Sequence, residues 1–237
     1  MEGRVRLAIV TGASAGIGAA TAAAFLADGW RVTSVSRRAC PVTGVDSLSC
    51  DLADPAAVAA AAAVLAEAAA AAERVVLVHN ASLLQSDTAD GTEPDDFARV
   101  LQVNLGAPNA LNRTILPSLG AGSAVIFVGS TLSEKAVPGA HSYVVTKHAI
   151  VGMMRATCQD LGGRGVHTAC VCPGFTDTEM LGEHVGTDRE TRIAVASRSA
   201  FGRLVEPAEI AETIHWAATH PVVNGAVIHA SLGQLER

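Results

Sequence analysis

Short apolar runs alternate with longer amphipathic or alanine-rich stretches along this chain. Val5–Val10, Arg31–Ser36, Val75–His79, Ala124–Val128 and Val166–Val171 are rich in β-branched residues, and most are bounded by Gly, Asn or Pro. Runs of this length and flanking read as buried strands. Val45–Ser49 is a weaker third strand and Ala226–His229 a short last one. Helical stretches lie between them. Gly16–Asp28 ends at Gly29, and Ser142–Leu161 and Pro207–Thr219 follow later in the chain. Asp54 and Pro55 supply an N-cap and a first-turn proline for Ala56–Glu73. That segment lacks the Gly, Ser and Pro of a disordered linker, the alternative reading. A further helix starts near Pro94 and runs past Val100, with Pro117 near its end. Strand–helix alternation predicts one doubly wound α/β domain spanning 1–237, with about seven parallel strands and helices on both faces. The longest irregular stretch runs from Pro173 to about Leu204, and a loop of that length is usually functional.

Composition narrows the partners. The 237 residues suffice for a large core. The formal charge is -6 and basic residues do not cluster, which argues against nucleic acid and anionic membranes. No apolar stretch reaches the roughly 18 residues of a membrane span, and no secretory signal is expected at the N-terminus. An odd count of cysteines (Cys40, Cys50, Cys158, Cys170, Cys172) predicts a reducing, cytoplasmic compartment rather than a disulfide framework. Cys170 and Cys172 share one strand face and are read as core, since no four-ligand metal spacing appears. No metal site is expected.

Thr11-Gly12-Ala13-Ser14-Ala15-Gly16-Ile17-Gly18 joins the first strand to the first helix. Glycines let the backbone approach a pyrophosphate, and the helix N-terminus offers free N–H groups and partial positive charge. The spacing Gly-x-x-x-Gly-x-Gly differs from the common dinucleotide fingerprint, but its place between strand and helix is that of a Rossmann-type phosphate turn. This turn resembles that of the short-chain dehydrogenase/reductase family, and the family's other motifs follow in order over nearly the whole chain.

The second strand ends in Ser36-Arg37-Arg38. An acidic residue there would favour NAD, whereas guanidinium groups can grip the 2′-phosphate of NADP. NADP is the expected cofactor, with NAD possible. By the resemblance, Asp51-Leu52 lies near the adenine and Asn80-Ala81-Ser82 lines the cofactor, with Ser82 standing where relatives carry Gly and His79 where they carry Asn. His79 is read as a packed strand-end residue.

Tyr143 and Lys147 are four apart, which stacks them on one helix face. A phenol in water holds its proton up to about pH 10. A neighbouring ammonium, helped by a positive nicotinamide ring, stabilises the phenolate, so acid–base work near neutrality needs such a pair. The ammonium can also hold the ribose hydroxyls. Tyr143 is the only tyrosine and Lys147 one of two lysines, so an accidental pair at this offset is improbable. Ser130 precedes Tyr143 by 13 residues, the spacing at which the family places the donor to the substrate carbonyl. Ser133 is a competitor farther from the strand end. Asn104, in Val103-Asn104-Leu105, matches the helix Asn expected to hold a proton-relaying water for Lys147. Pro173-Gly174-Phe175-Thr176-Asp177-Thr178 resembles the stretch whose Thr binds the nicotinamide carboxamide. Thr176 and Thr178 are both candidates and Thr178 is favoured.

The resemblance thus implies an oxidoreductase exchanging a hydride between its cofactor and a carbonyl or secondary alcohol, on the pro-S face of the ring. The substrate is expected under the 175–204 loop. Gly202-Arg203-Leu204-Val205-Glu206-Pro207 is similar to a run in 3-oxoacyl-carrier-protein reductases; against that class, His229-Ala230-Ser231-Leu232-Gly233 stands where many relatives carry Asp-Gly-Gly, and Ser82 also fits small-ketone or diketone reductases. A homotetramer or dimer is implied, with Ser142–Leu161 at an interface. A catalytically silent cofactor-binding relative is the alternative class, one that typically loses the Tyr or the Lys.

Overall fold

The computed structural model describes residues 5–235. Among the described residues seven strands, β1 (Arg6–Thr11), β2 (Arg31–Ser36), β3 (Asp46–Ser49), β4 (Arg74–His79), β5 (Ala124–Val128), β6 (His167–Pro173) and β7 (Ala226–Ala230), make one sheet in the order β3-β2-β1-β4-β5-β6-β7. Every pairing is parallel. Alternation along each strand divides the core into two layers. Leu7, Ile9, Leu77, Val125 and Phe127 face one side, under α2 (Pro55–Ala71), α4 (Ala107–Ile115) and α5 (His141–Asp160). Ala8, Val10, Val76, Val78 and Ile126 face the other, under α1 (Gly16–Ala27) and α8 (Pro207–Thr219). Burial on both faces is why these strands read as unbroken apolar runs. Helix α2 turns Val58, Ala61, Ala62, Leu65 and Ala69 inward, one face at helical spacing, and Asp54 Oδ1 accepts from Ala56 N at 2.8 Å as its cap.

Two regions depart from the sequence expectation. The helix from Pro94 runs to Pro117 as expected but is not uniformly α: α3 (Pro94–Leu101) passes through a π turn, Gln102–Gly106, into α4, and a 3-10 turn covers Leu116–Ser118. Pro108, in the first turn of α4, has no N–H for the carbonyl four residues back, that of Asn104. The π turn therefore falls on Asn104, a candidate residue of the site. Second, the stretch expected to be irregular holds α6 (Glu179–Val185) and α7 (Arg189–Ala196). Thr178 and Asp188 cap them by accepting from Leu181 N and Thr191 N, and Gly186, at φ +101°, separates them. Both are short and carry no fully buried residue, so no apolar stripe announced them. Among the described residues no helix is long and apolar enough to cross a membrane.

Candidate functional site

The sheet order reverses at β1, and the carboxyl ends of β1 and β4 open the crevice where such sheets bind ligands. The glycine turn sits there, with Gly12 at φ +70° and Gly16 at +53°. A Cβ on Gly18 would lie 2.3 Å from Gly12 O and 2.6 Å from Asn80 Nδ2, so turn, helix and strand end touch as closely as backbone allows. Asn80 pins the turn: its Nδ2 donates to Thr11 O at 2.8 Å and Gly12 O at 3.2 Å. The N–H groups of Asn80 and Ala81 both donate to Thr11 Oγ1 at 3.0 Å. Helix α1 then begins at Gly16 without a side-chain cap and without an acidic residue in its first turn. Its leading N–H groups remain for an anion. Nearby, Ser82 Oγ is buried without a hydrogen-bond partner among the described residues. An uncapped N-terminus, a glycine cradle and an orphan hydroxyl together fit a dinucleotide phosphate and its neighbouring groups.

At the end of β2, Ser36 is buried, its Oγ 3.2 Å from Ser34 Oγ, while Arg37 and Arg38 are exposed. Arg38 Nη2 lies 3.3 Å from Glu179 Oε2 on α6. Asp51 accepts from Ala53 N at 3.0 Å, shaping its own turn, and Leu52 is buried behind it.

Helix α5 carries Tyr143 and Lys147 one turn apart. Lys147 is 5 % exposed, and its Nζ donates to Val128 O at 2.8 Å and stands 5.3 Å from the Tyr143 ring centroid. The ammonium is thus fixed between the tyrosine and the end of β5. Asn104 is buried in the π turn with its side chain fully engaged. Its Oδ1 accepts from Leu83 N at 2.7 Å, and its Nδ2 donates to Leu83 O at 3.0 Å and Thr146 Oγ1 at 2.9 Å. Thr146 in turn donates to Tyr143 O. Ser130 lies just past β5, half-buried, in a turn packed against α5.

One contributor escaped the sequence reading. Ala140, at the N-cap of α5, offers no capping side chain. The cap comes from Asp87, whose carboxylate accepts from Ser142 N at 3.1 and 3.4 Å. Burial works to raise the Asp87 pKa, but hydrogen bonds from Ser142 and Thr92 outweigh it and hold the carboxyl below the usual carboxylate range. Nothing local in the sequence joins residue 87 to a helix starting at residue 141.

Pro173 closes β6, and Gly174 N donates to Ala230 O at 3.0 Å. Thr176 is buried and turns back, donating to Gly174 O at 3.0 Å. Thr178 instead reaches the glycine turn: a Cβ on Gly16 would lie 3.1 Å from Thr178 Cγ2. Gly16, Asp177, Thr178, Glu179 and Arg192 line an open cleft of about 640 Å³. Helix α6 spans the mouth of the crevice, tied to Arg38 through Glu179 and to Ser86 Oγ through His184 Nδ1 at 3.3 Å. Among the described residues, no cluster of His, Cys, Asp and Glu is arranged to hold a metal ion.

A doubly wound sheet with a glycine turn at its switch point and a Tyr–Lys pair beyond β5 defines a nicotinamide-dependent oxidoreductase. Residues 12–234 match a family model described as enoyl-(acyl carrier protein) reductase. The chain is 30% identical over 227 residues to the A-factor type gamma-butyrolactone 1'-reductase (1S-forming) of Streptomyces virginiae, covering 89% of this chain and 87% of that protein. It is 27% identical over 243 residues to a 3-oxoacyl-[acyl-carrier-protein] reductase of Thermotoga maritima, covering 96% of each. A solved Beutenbergia cavernae structure, assigned as an NAD(P)-dependent gluconate 5-dehydrogenase with NADP at low occupancy, superposes with a TM-score of 0.84 at 28% identity over 95% of both chains. This chain belongs to the short-chain dehydrogenase/reductase family, whose members interconvert alcohols and carbonyl compounds.

Proposed function

We propose that the protein transfers a hydride between NADPH and a ketone or secondary alcohol, with Tyr143 as the proton donor in reduction and acceptor in oxidation. The observation that carries this reading is the buried Lys147 ammonium, fixed on Val128 O and 5.3 Å from the ring of the chain's only tyrosine. A nicotinamide dinucleotide, when bound, supplies or accepts the hydride. Gly12, Ser14, Gly16, Ile17 and Gly18 hold its pyrophosphate at the start of α1. Asp51, Leu52, Asn80, Ala81 and Ser82 border the adenosine and ribose, and Thr178, with Pro173 and Gly174 behind it, holds the carboxamide. Arg37 and Arg38 take the 2′-phosphate: β2 itself ends in no carboxylate, and Arg38 exchanges its exposed Glu179 partner for the phosphate.

In reduction, Ser130 donates a hydrogen bond to the substrate carbonyl oxygen as negative charge gathers there. Tyr143 passes its phenolic proton to that oxygen, and Lys147 stabilises the phenolate left behind. Asn104 refills the proton through a water held by its main-chain carbonyl, since its side chain is engaged and Pro108 brings no N–H to that oxygen. The substrate binds beneath 175–204, with α6 as the covering element. Five free thiols fit a reducing compartment, the cytoplasm. We also propose a homo-oligomer, as the family resemblance implies.

The test is cofactor absorbance with NADPH and NADH against ethyl acetoacetate, 2,3-butanedione and cyclohexanone. Oxidation of NADPH faster than NADH with at least one ketone is expected. Cofactor binding without oxidation by any ketone would reject the enzymatic reading in favour of a silent sensor.

A further inference from the structure

Ser130 is presented by a single 3-10 turn, Thr131–Ser133, at the end of β5. Three hydrogen bonds define it. Ser130 N donates to Ser133 Oγ at 3.1 Å, Ser133 N donates to Ser130 O at 2.9 Å, and Ser130 Oγ accepts from Leu132 N at 3.1 Å. One lone pair of the Ser130 hydroxyl is thereby committed to its own turn, while its proton stays free for an acceptor outside it. The turn aims that proton, and Ser133 closes the turn.

Ser133 is 4 % exposed, so its hydroxyl faces protein rather than water. Beneath it lie Cys170 and Cys172, both fully buried, with their sulfurs 3.8 Å apart. A Cβ on Gly129 would stand 2.6 Å from Cys172 Sγ and 2.9 Å from both Cys170 Sγ and Ser133 Oγ. The two thiols and the hydroxyl therefore converge under the residue before Ser130. Cys172 Sγ and Ser133 Oγ thus border the same backbone, and Gly129 N donates to Val171 O at 2.8 Å. A line of contacts runs from β6 through Cys172 and Ser133 to the backbone of Ser130. The same β6 continues into Pro173 and Gly174 beside the cofactor site.

We propose that Ser133 is a positioning residue: packed beside Cys172, it fixes the Ser130 N–H and so orients the Ser130 hydroxyl toward the substrate oxygen, in register with the strand leading to the nicotinamide site. This rests on the assignment of Ser130 as the substrate's hydrogen-bond donor. A packing role alone would not distinguish the substrate from the cofactor, nor depend on the Ser130 hydroxyl.

The experiment is a double-mutant cycle on the full chain with NADPH and ethyl acetoacetate, or whichever panel ketone turns over fastest. Ser133→Ala is expected to lower kcat/KM for the ketone about tenfold, the scale of one mispositioned donor, with NADPH Kd, read from nicotinamide fluorescence, within about twofold of wild type. Ser133→Thr, which keeps a hydroxyl, is expected to recover most of the loss. In a Ser130→Ala background, Ser133→Ala should cost nothing further. Unchanged kcat/KM in Ser133→Ala, or an equal loss with and without the Ser130 hydroxyl, would overturn the proposal. Wild-type turnover by Ser130→Ala alone would instead remove the Ser130 assignment beneath it. Should Ser133→Ala not fold, Cys172→Ala carries the test: its loss must likewise vanish in the Ser130→Ala background.

Discussion

His79 makes the stability of this fold depend on acid in a way that can be measured. It ends β4, 3 % exposed, against the Phe127 ring at 4.9 Å between centroids. Its Nε2 meets Asn112 Oδ1 at 2.8 Å, so Nε2 carries the hydrogen, and Nδ1 is buried without a partner among the described residues. A second proton would have to sit on that orphan nitrogen. Burial accordingly pushes the pKa down from 6.5 to about 4, with the Asn112 hydrogen bond opposing only part of the shift. The sign follows from proton counting. Between about pH 6.5 and 4 the unfolded chain binds a proton that the folded chain refuses, so stability falls as pH falls through that window and levels off below it. A gap of that size corresponds to about 3 kcal/mol, a large share of a typical domain's stability. Urea unfolding at several pH values, for wild type and His79→Asn, isolates the effect, because other acid-sensitive groups are common to both. Wild type should lose about 3 kcal/mol more than the variant on going from pH 7 to pH 4. Parallel stability curves for the two proteins would show that His79 is not the buried, neutral group described here.

Other perturbations probe the site. Gly18→Ala forces a methyl into Gly12 O and Asn80 Nδ2, and is expected to cost about 1–3 kcal/mol in thermal or urea unfolding and to weaken NADPH at least about tenfold. A variant with native cofactor affinity would mean that the turn yields without consequence. Asp87→Ala removes the cap of α5 and should cost about 1–2 kcal/mol with a fall in kcat. Because the Asp87 carboxyl is held below the usual range, its contribution is present above the unfolded value and lost as pH falls through the folded one, and the variant should lack that component. Arg37→Ala combined with Arg38→Ala should raise the NADPH Kd at least about tenfold and change NADH little. Equal effects on both cofactors would remove these arginines from the 2′-phosphate.

Much of the fold was legible because parallel strands buried on two faces must be continuous apolar runs, and β1, β4, β5 and β6 are. Asp54 and Pro55 marked the start of α2 for the local reason that a cap and a first-turn proline act on adjacent residues. Helices α6 and α7 were not legible from periodicity, having no buried face, although Thr178 and Asp188 stood in the sequence as caps. In the site, Tyr143 and Lys147 were readable because four residues is one helical turn. Asp87 was not, since its partner begins 54 residues later through tertiary folding alone, with the Ser142 N–H as the link. Ser133, weighed by sequence as a rival to Ser130, lies buried with its hydroxyl on the Ser130 N–H. That relation needed the geometry of one turn. Of the two threonines, only the fold separates buried Thr176 from Thr178, which meets the glycine turn.

The central claim is that the Tyr143 hydroxyl exchanges the proton of the reaction. It is tested most directly by single-turnover oxidation of bound NADPH by a saturating ketone in Tyr143→Phe, with NADPH affinity measured on the same protein. The expected result is hydride transfer slower by at least about a hundredfold to ten-thousandfold, the usual worth of a positioned acid, with the NADPH Kd unchanged. Hydride transfer at the wild-type rate in that variant would contradict the claim.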